Sequence, residues 1–251
     1  MGVESVSRKL TKQFHFILSP HSFVGFFIVN QWVNNNMSFK IVNIILPNTK
    51  ESERCPNKNR VLRKYTLDFL ERELPTIEDE NTVAIVWELR NEKVPVDTDN
   101  DNKYSFKINA LFVPDEYSND MKPLMKWADK KIKGDICIQL LYTQPKRRAG
   151  LLKDLVQSVL DNPCKLTVTA AEMPLESWRV IINNNWFESI RHIPEGQRLQ
   201  LYDGAGYAWH SDLTSRCLWK HGRRKAVIKN VDVVVDIDYP AQLTEWEESI
   251  K

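Results

Sequence analysis

The chain has 251 residues, 42% hydrophobic and 27% charged, and its 35 basic and 33 acidic side chains leave a formal net charge of +2. This usage excludes fibrous and disorder-dominated classes, and it provides no global field that would draw the chain onto nucleic acid or an anionic membrane. The longest apolar run, residues 23–29, is far shorter than the ~20 residues of a spanning helix, so no membrane partner is expected and the compartment is read as cytoplasmic or nuclear.

Residues 38–46 alternate and then become wholly apolar before Pro47, which predicts a strand leading into a polar loop through Asn59. Leu62, Tyr65, Phe69 and Leu70 recur at helical spacing and predict an amphipathic helix stopped at Pro75. Residues 82–89 and 103–113 read as two strands of a long-looped hairpin. The connecting Asp97, Asp99 and Asp101 lack the glycine and terminal glutamate of a calcium loop, so a solvated tip is expected and no metal site is assigned.

Leu124, Met125, Ala128 and Ile132 predict a helix over 121–132, followed by a strand over 135–143. A helix over 150–160, a strand over 164–170, a helix over 175–186 and strands over 187–193, 198–202 and 226–237 complete the expected order. With no internal repeat and no long linker, the simplest architecture is one domain over 1–251, a mixed α/β sheet with helices packed on it. Cys55, Cys137, Cys164 and Cys217 are widely spaced, with no CxxC pair, and are read as reduced thiols.

The segment that carries candidate chemistry is the strand through Tyr142 that enters the basic turn Gln144-Pro-Lys-Arg-Arg-Ala-Gly150 and then a helix. Unpaired backbone N–H groups at a helix N-terminus suit a phosphate, and Lys146, Arg147 and Arg148 would add cationic donors. The plainer reading is a solvated basic turn with Gly150 serving backbone conformation. His15, His21, His192, His210 and His221 form no HxH or HExxH pair, and no serine sits in a Gly-x-Ser-x-Gly elbow, so hydrolase and zinc-enzyme readings have little support.

Arg147-Arg148-Ala149-Gly150-Leu151-Leu152 resembles the pyrophosphate loop of GCN5-related N-acetyltransferases (GNAT), with Leu155 on the helix behind it and Trp186-Phe187 at the family's Gly-Phe. The resemblance implies a GNAT-like α+β fold with a central, mostly antiparallel mixed sheet, its core about 38–202 and a C-terminal elaboration about 203–251. It further implies acetyl-CoA or another acyl-CoA held by residues 146–152 and acyl transfer to an amine. Glu88 or Glu172 would be the base, and Tyr142 would donate a hydrogen bond near the thioester. Leu152 replaces a small residue of the family loop, and Ile182 stands where a general-acid tyrosine is expected.

Two other readings stay open. The eight tryptophans, five of them in the last third, fit a non-catalytic GNAT-like scaffold that presents a surface to a protein partner. Aromatics around Trp209 and Trp219, with Arg223, Arg224 and Lys225, fit a single-stranded nucleic-acid partner.

Overall fold

The computed structural model describes residues 41–48, 56–91, 98, 101–118, 120–173, 180–182, 185–187, 199–213, 225–231 and 235–251. Its elements in chain order begin with β1 (Ile41–Pro47), α1 (Pro56–Glu73), β2 (Val83–Asn91), β3 (Ile108–Val113), α2 (Asp115–Ser118) and α3 (Met121–Lys131). They continue with β4 (Ile136–Gln139), α4 (Leu151–Asp161), β5 (Leu166–Met173), β6 (Val180–Ile182), β7 (Asn185–Phe187), β8 (Leu199–His210), β9 (Lys225–Lys229) and α5 (Pro240–Ser249).

Seven strands form one sheet in the order β3-β2-β1-β4-β8-β5-β9. β1 is parallel to β2 and β4, β2 to β3, and β5 to β9, while β8 runs antiparallel to β4 and β5. Six strands therefore share one direction and β8 opposes them. The expected mostly antiparallel sheet is replaced by a mostly parallel one, and the expected hairpin of residues 82–113 by a parallel pair in register from Val86↔Ile108 to Asn91↔Val113. Alternation in a sequence marks a strand but carries no sign of its direction; residues 92–107 are long enough for the crossover that parallel strands require.

The physical basis of the sheet is visible in β1. Val42, Ile44 and Leu46 pack into one core with α1, α4 and α5, while Ile45 packs into a second with α3. A strand buried on both faces reads as a continuous apolar run, which is why Ile41 to Leu46 shows little polar alternation. α3 begins at Asp120, whose carboxylate accepts from the Lys122 backbone N–H at 3.3 Å, and it ends with Lys130 and Lys131 at the negative end of the helix dipole.

The predicted helix over 175–186 is also corrected: Ile181 and Trp186 are partners in the antiparallel pair of β6 and β7. The β-branched run at 180–182 favours strand over helix. The chain after residue 202 supplies most of the central strand β8, and Ile237 and Leu243 are buried in the same core as β1. Cys137 and Cys164 are free thiols, as read from the sequence. Cys55 and Cys217, and most of the strand expected over 187–193, lie outside the described residues.

Candidate functional site

Chain order reverses around β1. The chain steps outward from β1 to β2 and β3, with α1 over one face, then returns to β4 on the other side of β1 by way of α3 on the opposite face. Ligands of open α/β sheets bind outside the carboxyl ends of the strands at such a reversal, because the two diverging connections leave a crevice there. Here that edge is formed by Asn48 after β1, Glu88 to Asn91 at the end of β2, residues 140–144 after β4, and the first turns of α1.

A polar bridge spans this edge. Glu88, aligned with Leu46 of β1, has no exposed surface. Arg63 on α1 donates from Nε and Nη2 to its two oxygens at 2.7 and 3.1 Å. Arg90 donates from Nε and Nη2 to Oε2 at 2.9 and 2.6 Å. From the far side of β1, the Tyr142 hydroxyl donates to Oε1 at 2.6 Å. Burial opposes ionisation of Glu88, but the hydrogen bonds and charge of Arg63, aided by Tyr142 and Arg90, hold its carboxyl below the usual range. Burial and the Glu88 charge push the Tyr142 phenol far above its ordinary value. A carboxylate bound in this way does not serve as a free base. Asp101 closes the outer side of the bridge on Arg63, at 2.7 Å from Nη1 and 2.9 Å from Nη2. It is ion-paired where a solvated loop tip was expected.

Beside this bridge, the segment 235–238 runs past the end of β4, its Ile237 N–H bonded to the Thr143 carbonyl at 2.9 Å. The buried Lys58 ammonium, in the first turn of α1, donates to the carbonyls of Ile237 and Asp238 at 3.0 and 2.6 Å. Asp236 and Asp238 alternate on this segment with Ile237 turned into the core. Desolvation and the neighbouring Asp238 charge raise the Asp236 carboxyl above its ordinary value, against the Thr143 and Gln144 hydrogen bonds and the charge of Lys58. Two carboxylates that repel each other at this edge of the sheet form an arrangement that a cation relieves.

The basic turn has different partners from those a phosphate would provide. Arg147 donates to the carbonyls of Ala205 at 3.0 Å and Leu141 at 2.5 Å and to Thr66 Oγ1 at 3.2 Å, and burial pushes its pKa down to about 9. Arg148 bonds the Lys229 carbonyl at 2.8 Å and pairs with Asp154, while Lys146 is exposed. The Gly150 N–H, at the N-terminus of α4, already donates to Glu73 Oε1 at 3.1 Å. Ala149 is exposed, whereas Leu151 and Leu152 are wholly buried in the core. The structure therefore brings Glu88 and Tyr142 into contact and leaves Glu172 on β5, opposite Gln200 of β8. The Glu172 side chain, Arg223, Arg224 and the Lys225 side chain lie outside the described residues.

Sequence reasoning missed Lys58, Arg63, Arg90, Asp236 and Asp238. Only the last two carried a readable signal, an Asp-x-Asp at the end of a strand-like run followed by Pro240 at a helix start. Trp209, read as an interface aromatic, is fully buried, and among the described residues its indole N–H has no hydrogen-bond partner. Trp246 packs edge-on against Tyr65 with ring centroids 4.5 Å apart. Trp178 and Trp219 lie outside the described residues. Among the described residues, no group of three or more metal-ligating side chains occurs, and no helix is long and apolar enough to cross a membrane.

No protein-family model and no curated protein matches this sequence. Solved structures do. The chain is similar to a CMP:2-keto-3-deoxy-manno-octonic acid synthetase complexed with CTP, at 15% identity and TM-score 0.59, over 83% of this chain and 98% of that one. It is similar to 4-diphosphocytidyl-2C-methyl-D-erythritol synthase from Anaerococcus prevotii at 11% identity and TM-score 0.56, over 85% and 96%. It is likewise similar to 2-C-methyl-D-erythritol 4-phosphate cytidylyltransferase from Thermus thermophilus at 11% identity and TM-score 0.54, over 82% and 97%. These likenesses, with the parallel sheet, overturn the GNAT resemblance, and with it the acyl-CoA cofactor, the N-acyltransferase reading and the GNAT-like scaffold. The fold is a mixed α/β one, a seven-stranded sheet flanked by helices, shared with cytidylyltransferases.

Proposed function

We propose that the chain binds cytidine triphosphate with a divalent cation at the carboxyl edge around β1 and β4, and transfers the cytidylyl group to a hydroxyl of a small anionic acceptor. The observation that carries this reading is that Lys58 and the segment bearing Asp236 and Asp238 meet at the end of β4, beside the point where chain order reverses. In the reaction, the acceptor hydroxyl oxygen forms a bond to the α-phosphorus and loses its proton. The bond from that phosphorus to the bridging oxygen breaks, and pyrophosphate leaves.

The residues fit a divalent cation. Magnesium keeps several waters and is held by one or two carboxylates together with substrate phosphates, so a pair of aspartates without a third ligand suffices. Asp236 and Asp238 would hold it, and the ion when bound supplies charge neutralisation of the leaving pyrophosphate. Lys58 places a cation against the same segment and keeps it on the end of β4. The Glu88 bridge fixes α1, β2 and β4 around the crevice, so that the groups are positioned before substrate arrives.

Calorimetry with CTP and magnesium, with acetyl-CoA as the comparison, tests this reading. Micromolar CTP binding is expected, weakened at least about tenfold in Asp236→Asn and Asp238→Asn, with no binding of acetyl-CoA. Absence of CTP binding by the folded wild-type chain sinks it.

A further inference from the structure

We infer that Arg63 and Arg90 form the subsite for the anionic group of the second substrate, and that Asp101 occupies this subsite until a carboxylate or phosphate replaces it. The inference rests on the nucleotide reading above, because it needs a second substrate beside the first.

The two guanidiniums meet two carboxylates of different kinds. Glu88 sits on a strand paired on both sides, has no exposed surface and is bonded by Arg63, Arg90 and Tyr142, so it is a fixed part of the wall. Asp101 belongs to a three-residue 3-10 turn outside the sheet, and its side chain is 20% exposed. It takes one N–H each from Arg63 Nη1 and Nη2, and its Oδ2 lies 3.6 Å from Arg90 Nη2. A planar anion held by the fork of one guanidinium with a second guanidinium beside it is the geometry in which arginines bind carboxylates and phosphates.

The place is right for a substrate. Glu88 aligns with Leu46, one residue before the Pro47 that ends β1, and Tyr142 reaches the same carboxylate from beyond the end of β4. The Arg63–Arg90 pair therefore lies on the β2 side of the sheet edge where chain order reverses, while Lys58, Asp236 and Asp238 lie at the end of β4. Charge explains why Asp101 is needed. Glu88 and Asp101 both set carboxylates against these two guanidiniums, which are only 10% and 14% exposed, so losing either costs a nearly buried countercharge. An internal carboxylate removes that cost in the free chain, and an incoming anion takes over the same role without changing the charge balance.

The test is calorimetric titration with inorganic phosphate, first without nucleotide and then at saturating CTP and magnesium, on the wild-type chain, Asp101→Asn, Asp101→Ala and Arg90→Gln. Thermal unfolding verifies that each variant is folded. Both Asp101 variants should bind phosphate about tenfold more tightly than wild type, and Arg90→Gln should bind it at least tenfold more weakly than Asp101→Asn. Phosphate should still bind when CTP is saturating. Equal phosphate affinity in wild type and both Asp101 variants overturns the inference. Loss of phosphate binding on saturation with CTP also overturns it, since the anion held there is then the nucleotide's own. If the phosphate pattern holds while CTP does not bind, the arginine site stands as an anion site and only the nucleotide reading fails.

Discussion

Glu88 is the residue on which the edge of the sheet turns, because removing one partner of a buried ion pair strands the others. Its carboxylate holds Arg63, Arg90 and Tyr142 together, and Glu88→Gln withdraws a charge from two nearly buried guanidiniums. A loss of about 3–5 kcal/mol is expected. Its folded pKa is depressed, so the stability it contributes is fully present above the ordinary glutamate value of about 4.3 and is lost as pH falls through the depressed value. Urea unfolding of wild type and Glu88→Gln from pH 7 to pH 3 should show the gap between them narrowing toward acid. A constant gap across that range contradicts the ionised assignment.

At the scale of elements, the turn before α4 shows how a protein can use a helix N-terminus for itself. Gly150 holds φ 74°, a left-handed conformation that disfavours other residues, and so turns the chain from the basic segment into the helix. Its N–H then takes Glu73, the last residue of α1, as its partner. Glu73→Ala should therefore cost about 1–2 kcal/mol, the size of a lost cap with its favourable dipole interaction, and leave nucleotide affinity unchanged. Gly150→Ala meets only the flexible end of Arg148 at 3.8 Å, an ordinary contact, so its cost is conformational strain of about 1–2 kcal/mol. Chemical denaturation read beside CTP calorimetry checks both, and a large loss of CTP affinity in either variant would return the turn to the binding machinery.

At the scale of the whole molecule, residues 235–251 are anchored to the core that α1 and β1 build through Ile237 and Leu243. Ile237 is 1% and Leu243 8% exposed, Trp246 covers Tyr65, and Lys58 spends its donors on the carbonyls of 237 and 238. Trp246→Ala should lose about 1–3 kcal/mol, as expected for a half-buried aromatic with one edge-on partner. A chain ending at residue 234 should lose its cooperative thermal transition altogether, since it deletes core side chains and leaves the buried Lys58 ammonium without those acceptors. A sharp transition at the wild-type temperature in the shortened chain would show this segment to be peripheral.

The sequence by itself determined the apolar strand of β1, the helices α1, α3 and α4 within a few residues, the reduced Cys137 and Cys164, and the layered α/β class. Each of these rests on local periodicity or spacing, which the chain carries regardless of what it packs against. Only the tertiary structure decided strand direction, the order of the sheet, and therefore which edge holds the crevice. Parallel and antiparallel partners bury the same alternating side chains, and the reversal around β1 exists only once seven strands are assembled. The same limit hid the site. Lys58, Glu88 and Asp236 stand far apart in the chain, with ordinary neighbours, and their roles arise from burial and charge pairing that long-range contacts create. In the basic run at 146–148 that local chemistry flagged, Arg147 and Arg148 have their partners within the fold itself.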